Sequence, residues 1–155
     1  MADEEVKKQP KENKEYISTV GRRRESVARV RIYKTVKDGL TFGNITVKKG
    51  SVIVNGKAIS EYFSLKSSRT VYEAPFNLTN TLNKFATTIK VTGGGSSGQL
   101  GAVVLGLARA LSKLDPENRS VLKKKGLLER DARSRQRRNV GMGGKSRRKR
   151  QSPKR

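Results

Sequence analysis

The residues best suited to chemistry are Gly93-Gly94-Gly95-Ser96-Ser97-Gly98, a run that matches the G-x-G-x-x-G spacing with which backbone N–H groups approach a phosphate. It stands between a β-rich segment, Thr87 to Val91, and a long apolar periodic segment. Asp115 and Glu117 follow about 20 residues on, at the distance where a dinucleotide site keeps its acid. Those acids flank Pro116 with no apolar strand before them, so a dinucleotide site is not expected. A nucleotide-hydrolysing loop would end in Gly-Lys-Ser or Gly-Lys-Thr, whereas this one ends Gly98-Gln99-Leu100. What remains is a glycine turn that packs a helix tightly on its strand, with N–H groups at the helix start that suit an RNA phosphate. Gly94, Gly95, Ser96, Ser97 and Gln99 are the contacts expected there, and Gly95 and Gly98 are expected to need φ freedom or close backbone approach.

Other chemistry is scarce. The chain has no Cys and no His, which removes disulfides, thiolate and imidazole metal ligands and the commonest general base. Thirteen acids scattered among 36 cations are solvated or ion-paired more often than catalytic, so neither an enzyme nor a metal or organic cofactor is expected. The formal net charge of +23 implies a polyanionic partner. A membrane surface is set aside because neither a long apolar stretch nor a basic amphipathic helix with aromatics is present. Met1 to Lys14 has no apolar run and does not read as a signal peptide, so a cytoplasmic location is expected. Nucleic acid is left.

Two groups of cations fit that partner. Arg22-Arg23-Arg24 repel one another unless phosphate relieves the cost through bidentate contacts, and Arg29 and Arg31 lie two apart, on one face of a strand. All five are expected to touch RNA. The second group follows residue 122: Lys123, Lys124 and Lys125, then Arg130, Arg133, Arg135, Arg137 and Arg138, then Lys145, Arg147, Arg148, Lys149 and Arg150. No aromatic residue lies among them, so they are expected to read backbone and shape rather than to stack on bases.

The elements that must position these residues follow from charge and periodicity. Residues 1–15 carry 4 cations and 5 anions and read as a disordered leader. Residues 16–122 carry 17 and 6 and hold nearly all the large apolar residues; they read as one globular α+β domain. Residues 123–155 carry 15 and 2 and read as an extended basic tail that orders on its partner. Within the domain, strands are expected at Val27 to Tyr33, Ile45 to Val47, Ser51 to Val54 and Thr87 to Val91. Asn55-Gly56 supplies a tight turn, with hairpin-like pairing around it. Leu78, Leu82 and Phe85 suggest a short helix after Pro75. The best-defined helix runs from Leu100 to Leu114. Its second stripe, Gly98, Ala102, Gly106 and Ala110, is small enough for a close neighbour, and Pro116 marks its end.

The stretch Thr19-Val20-Gly21-Arg22-Arg23-Arg24-Glu25-Ser26-Val27-Ala28-Arg29-Val30 resembles the N-terminal signature of the small-subunit ribosomal protein nine family, in its bacterial type. Val54-Asn55-Gly56-Lys57 with Glu61-Tyr62-Phe63, Gly93 to Ala102 continuing to Ala108-Arg109-Ala110-Leu111, and Arg130-Asp131-Ala132-Arg133 agree with it in order. The resemblance implies an α/β sandwich like the second domain of ribosomal protein five, bound to small-subunit ribosomal RNA in the subunit head beside neighbouring ribosomal proteins. It also implies a tail that reaches the P-site tRNA through Lys154 and Arg155. The ending Arg150-Gln151-Ser152-Pro153-Lys154-Arg155 lacks the aromatic and the serine usual just before the last two residues, and the acidic leader has no counterpart in the short bacterial form. Composition alone equally allows a free RNA-binding or RNA-chaperone protein, which sedimentation with ribosomes at moderate salt would separate.

Overall fold

The computed structural model describes residues 16–35, 41–42, 45–138 and 140. Its first two strands, β1 (Tyr16–Arg23) and β2 (Ser26–Tyr33), form an antiparallel hairpin closed by Arg24-Glu25, with Arg24 in the left-handed region at φ 50°. Strand alternation sorts β2 into two sets. Ala28, Val30 and Ile32 are fully buried, while Arg29 and Arg31 point to solvent from the other face, as expected. β1 was not legible as a strand, because its inward positions include Thr19 and Gly21 in place of large apolar residues.

Two short strands, β3 (Thr41–Phe42) and β4 (Ile45–Thr46), pair with each other as a separate two-stranded sheet among the described residues. β5 (Val52–Val54) and β6 (Lys57–Ala58) follow, joined by Asn55 at φ 48° and Gly56 at φ 77°; two consecutive positive φ values are what a two-residue hairpin turn demands. The anticipated turn is therefore present. Its partner strand is Lys57–Ala58, and the 45–47 segment instead joins Thr41–Phe42. β7 (Ala86–Thr92) completes a five-stranded sheet of order β1-β2-β7-β5-β6, antiparallel to β2 and parallel to β5.

Four helices accompany the sheet among the described residues: α1 (Ile59–Tyr62), α2 (Lys66–Leu78), α3 (Ser96–Leu114) and α4 (Asn118–Lys124). The helix expected after Pro75 is a correction. Pro75 lies in the last turn of α2, and the chain then turns through Asn80 at φ 50° and Asn83 at φ 59°. Thr79 donates to the Pro75 carbonyl at 2.9 Å and closes the helix end. The spacing of Leu78, Leu82 and Phe85 imitated helical periodicity over too few residues to exclude a loop, and Leu82 stays 45% exposed.

The main core joins β2, β5 and β7 to all four helices through Val30, Ile89, Phe76, Leu107, Leu111 and Leu122, among others. Leu122 belongs to α4, and Leu127 and Leu128 pack against the same core, so the division expected after residue 122 falls inside a helix. A smaller cluster on the opposite side of the sheet, Tyr33, Val47, Ile53 and Ala86, is covered by Phe42 and Ile45 of the β3–β4 hairpin.

The small stripe of α3 lets it close on the hairpin. A Cβ on Gly21 would overlap the Ala102 carbonyl oxygen, one on Gly106 would stand 2.7 Å from Val30 Cγ2, and Thr19 Oγ1 donates to the Gly106 carbonyl at 2.8 Å. Gly98 fits the same pattern, since an added Cβ would stand 2.8 Å from Ser26 Oγ. Gly95 corrects expectation: its φ is −111° and nothing lies within 4 Å of an added Cβ, so neither φ freedom nor close approach requires glycine there. Gly21→Ala is therefore expected to lower stability by about 1–3 kcal/mol or more, and Gly95→Ala by less than about 0.5 kcal/mol. Urea unfolding of the two variants checks the contrast, and equal midpoints would refute the packing argument.

Candidate nucleic-acid interface

Because strand side chains alternate and the register is fixed, the positions that face away from the helices can be read directly. They are Tyr16, Ser18, Val20 and Arg22 on β1, Val27, Arg29, Arg31 and Tyr33 on β2, and Thr88, Lys90 and Thr92 on β7. None is acidic. Arg29 stands directly opposite Lys90, a like-charge pairing that disfavours the sheet unless a counter-charge lies above it. The Arg31 guanidinium carbon sits 4.9 Å from the centre of the Tyr16 ring, and Tyr16 in turn contacts Tyr33 at 5.7 Å between centroids. The stacking helps hold Arg31 in place while the residue stays exposed.

Sequence reasoning grouped Arg22, Arg23 and Arg24 as one patch, and the structure corrects this. Arg22 shares the open face with Arg29. Arg23 turns to the helix side, lies along Gly101 and pairs with Asp131, and Arg24 occupies the hairpin turn. Period two forces neighbours in a strand apart. Asp131 also accepts from the Arg133 backbone N–H at 2.9 Å and from Arg133 Nη2 at 2.7 Å, so one carboxylate ties the segment after α4 to the end of β1.

The glycine loop lies at the same end of the sheet. Gly93 and Gly94 have φ of 73° and 64°, and the Gly93 carbonyl accepts from Ser26 Oγ and from Gln99 Nε2, both at 3.1 Å. Tyr62 donates its hydroxyl to Gln99 Oε1 at 2.9 Å. Asn55 bonds both the N–H and the carbonyl of Val91 at 2.9 Å. The loop is thus braced from two sides, and the Gln99 amide is engaged within the fold. Gly94, Gly95, Ser96 and Ser97 are exposed, and α3 begins with no side-chain cap and no acid in its first turn. The surroundings differ from a dinucleotide site: among the described residues α3 leads to α4 and not to a parallel strand, and Asp115 follows the end of α3.

Lys123, Lys124, Lys125, Arg130, Arg133, Arg135 and Arg137 are exposed, and Arg138 is half-buried. Lys123 and Lys124 occupy the last turn of α4, where cations complement the helix dipole. Lys145, Arg147, Arg148, Lys149, Arg150, Lys154 and Arg155 lie outside the described residues. Lys90 was missed, although its position on alternate numbering with Thr88 and Thr92 was the available signal. Among the described residues no three His, Cys, Asp or Glu side chains gather as a metal site, and no helix is long and apolar enough to cross a membrane. The perturbed titrations lie elsewhere, on α2. The hydrogen bond to Glu73 holds Arg69 above its ordinary value, and burial pushes the Tyr72 phenol up.

A family model described as ribosomal protein S9/S16 matches residues 21–155. The chain is 40% identical over 132 residues to the small ribosomal subunit protein uS9 of Maridesulfovibrio salexigens, covering 85% of this chain and 92% of that protein. It is 41% identical over 126 residues to the uS9 protein of Anaeromyxobacter sp. strain K, covering 81% and 87%.

The Asp131 junction gives a local prediction. With about 1 kcal/mol per partly exposed ion pair, Asp131→Ala should speed hydrogen exchange at the Arg133 amide roughly fivefold while leaving β2 and β7 protected. Unchanged exchange at Arg133 would refute the tethering role.

Proposed function

The chain belongs to the ribosomal protein S9/S16 family, and from that premise we propose that it is a structural, non-catalytic constituent of the small ribosomal subunit, anchored by ribosomal RNA in the subunit head. The observation that carries the RNA contact is the acid-free open face of the sheet, where Arg22, Arg29, Arg31 and Lys90 converge. Such an arrangement is costly in isolation and is relieved by a phosphate backbone. At the hairpin end of that face stand Arg24 and the exposed start of α3 at Ser96 and Ser97, and the segment from Lys123 to Arg138 adds further cations. RNA held there would be fixed mainly through phosphates, since nothing in this set presents an aromatic platform for successive bases apart from Tyr16.

The remaining cations, from Lys145 to Arg150, extend the same electrostatic attraction. Lys154 and Arg155 are assigned to the P-site tRNA, with neighbouring proteins of the head as further partners and the cytoplasmic ribosome as the location. Assembly and tRNA contact should then separate. Loss of two cations out of 36 changes the summed attraction to ribosomal RNA little, whereas a charge-assisted phosphate contact of about 1.5–3 kcal/mol at the tip has no neighbouring substitute.

The first test is binding to a small-subunit ribosomal RNA transcript across a salt series. Arg29→Ala with Arg31→Ala should flatten the slope of log affinity against log salt by roughly 0.7–0.9 for each phosphate released, and an unaltered slope would remove the open face from the interface. The second uses reconstituted subunits lacking residues 154 and 155. Normal assembly with about tenfold weaker P-site tRNA retention is expected, and full retention would overturn the assignment of the tip.

A further inference from the structure

The edge of β1 opens onto a groove that the sequence did not suggest, between β1, the C-terminal half of α3 and α4, with a volume of about 500 Å³. Three cations line it. Arg109 and Lys113 project from one face of α3, four residues apart, and Arg119 comes from α4. No carboxylate is among its lining residues, and among the described residues no ion pair involves Arg109, Lys113 or Arg119. The like charges at i and i+4 disfavour the helix slightly, and Arg119 adds to the repulsion.

Arg109 is already set in position. Its Nη1 donates to the Val20 carbonyl at 2.9 Å, on the edge of β1 that no other strand covers among the described residues, which orients the fork while leaving its other N–H groups for a ligand. Ser112 supplies a hydroxyl beside them, and Val20 and Leu128 complete the walls. Val20 also pairs in register with Arg29, so the groove continues from the open cationic face around the edge of the sheet. We propose that this groove is a second RNA-backbone site, in which Arg109, Lys113, Arg119 and Ser112 hold phosphates of a strand that passes around β1 from the open face. The proposal rests on the RNA-binding reading above. An acidic protein segment is the alternative occupant. RNA is favoured because the groove joins a surface already without acids, along which a chain of evenly repeated charges can run unbroken.

The test uses the full chain and the same ribosomal RNA transcript. Lys113→Ala with Arg119→Ala, both exposed positions, should lower the salt slope by roughly 0.7–0.9 per phosphate released, with the urea midpoint unchanged. The charge-keeping exchange Lys113→Arg with Arg119→Lys should restore it. An unaltered slope in the alanine pair, with a reduced slope in the Arg29→Ala and Arg31→Ala pair, overturns the groove and leaves the open face standing. An unaltered slope in both pairs overturns the groove and the open face together. In assembled subunits, a photoreactive side chain placed at Ser112 should form its adduct with RNA, and an adduct with a neighbouring protein would overturn the proposal in favour of an acidic protein segment.

Discussion

α3 lies so close to the β1–β2 hairpin that Gly21 and Gly106 have no room for a side chain, and Thr19 bonds across to the Gly106 carbonyl. This contact governs much of the architecture. It fixes the helix along two strands, seals Ala28, Val30 and Ile32 beneath it, and so commits the alternate residues of both strands to the opposite face. The cost is that β1 contributes little apolar area of its own on the inner side. The gain is a rigid support in which one face carries the main core, while the other, beyond the small cluster under the β3–β4 hairpin, is left to Arg22, Arg29, Arg31 and Lys90.

The separation of burial from charge explains how a chain with +23 net charge can fold. Large apolar residues come mainly from β2, β7, α2 and α3, while the cations stand at exposed or partly exposed positions, many of them on the open face, on the late helices and in the segment after α4. Few acids offset them locally. Among the described residues Asp131 links separate elements, because it serves Arg23 and Arg133 together and binds the start of the basic segment to the domain. A carboxylate shared between two cations loses less conformational freedom per contact than two separate pairs would.

The glycine run acquires its meaning from this frame. Its resemblance to a dinucleotide loop is a consequence of packing a helix closely after a strand, which requires small residues and positive φ whatever the ligand. Here Gly93 and Gly94 use the positive φ, Ser26 and Gln99 hold the loop, and the helix start faces outward beside the Arg24 turn. The topology around it, antiparallel on one side and followed by another helix, separates it from nucleotide-binding folds.

Sequence by itself determined the elements whose signal is local. Alternation exposed Arg29 and Arg31 on β2, Asn55-Gly56 marked its turn, the apolar and small stripes defined α3, and the imbalance of charge pointed to a polyanion. Motif order carried the family. The rest depended on contacts between distant residues. β1 was hidden because its inward side is small to admit a helix more than 80 residues away in sequence, as the 87-residue span of the Thr19–Gly106 bond shows. α2 was hidden because Pro75 lies inside it, and the loop beyond it carried a helix-like spacing by coincidence. The arginine run was read as one patch because charge is visible in sequence while side-chain direction is not; only pairing of the strand divided it among three places. The cationic groove is the extreme case, since Arg109, Lys113 and Arg119 meet β1 only when α3 and α4 fold back against its edge.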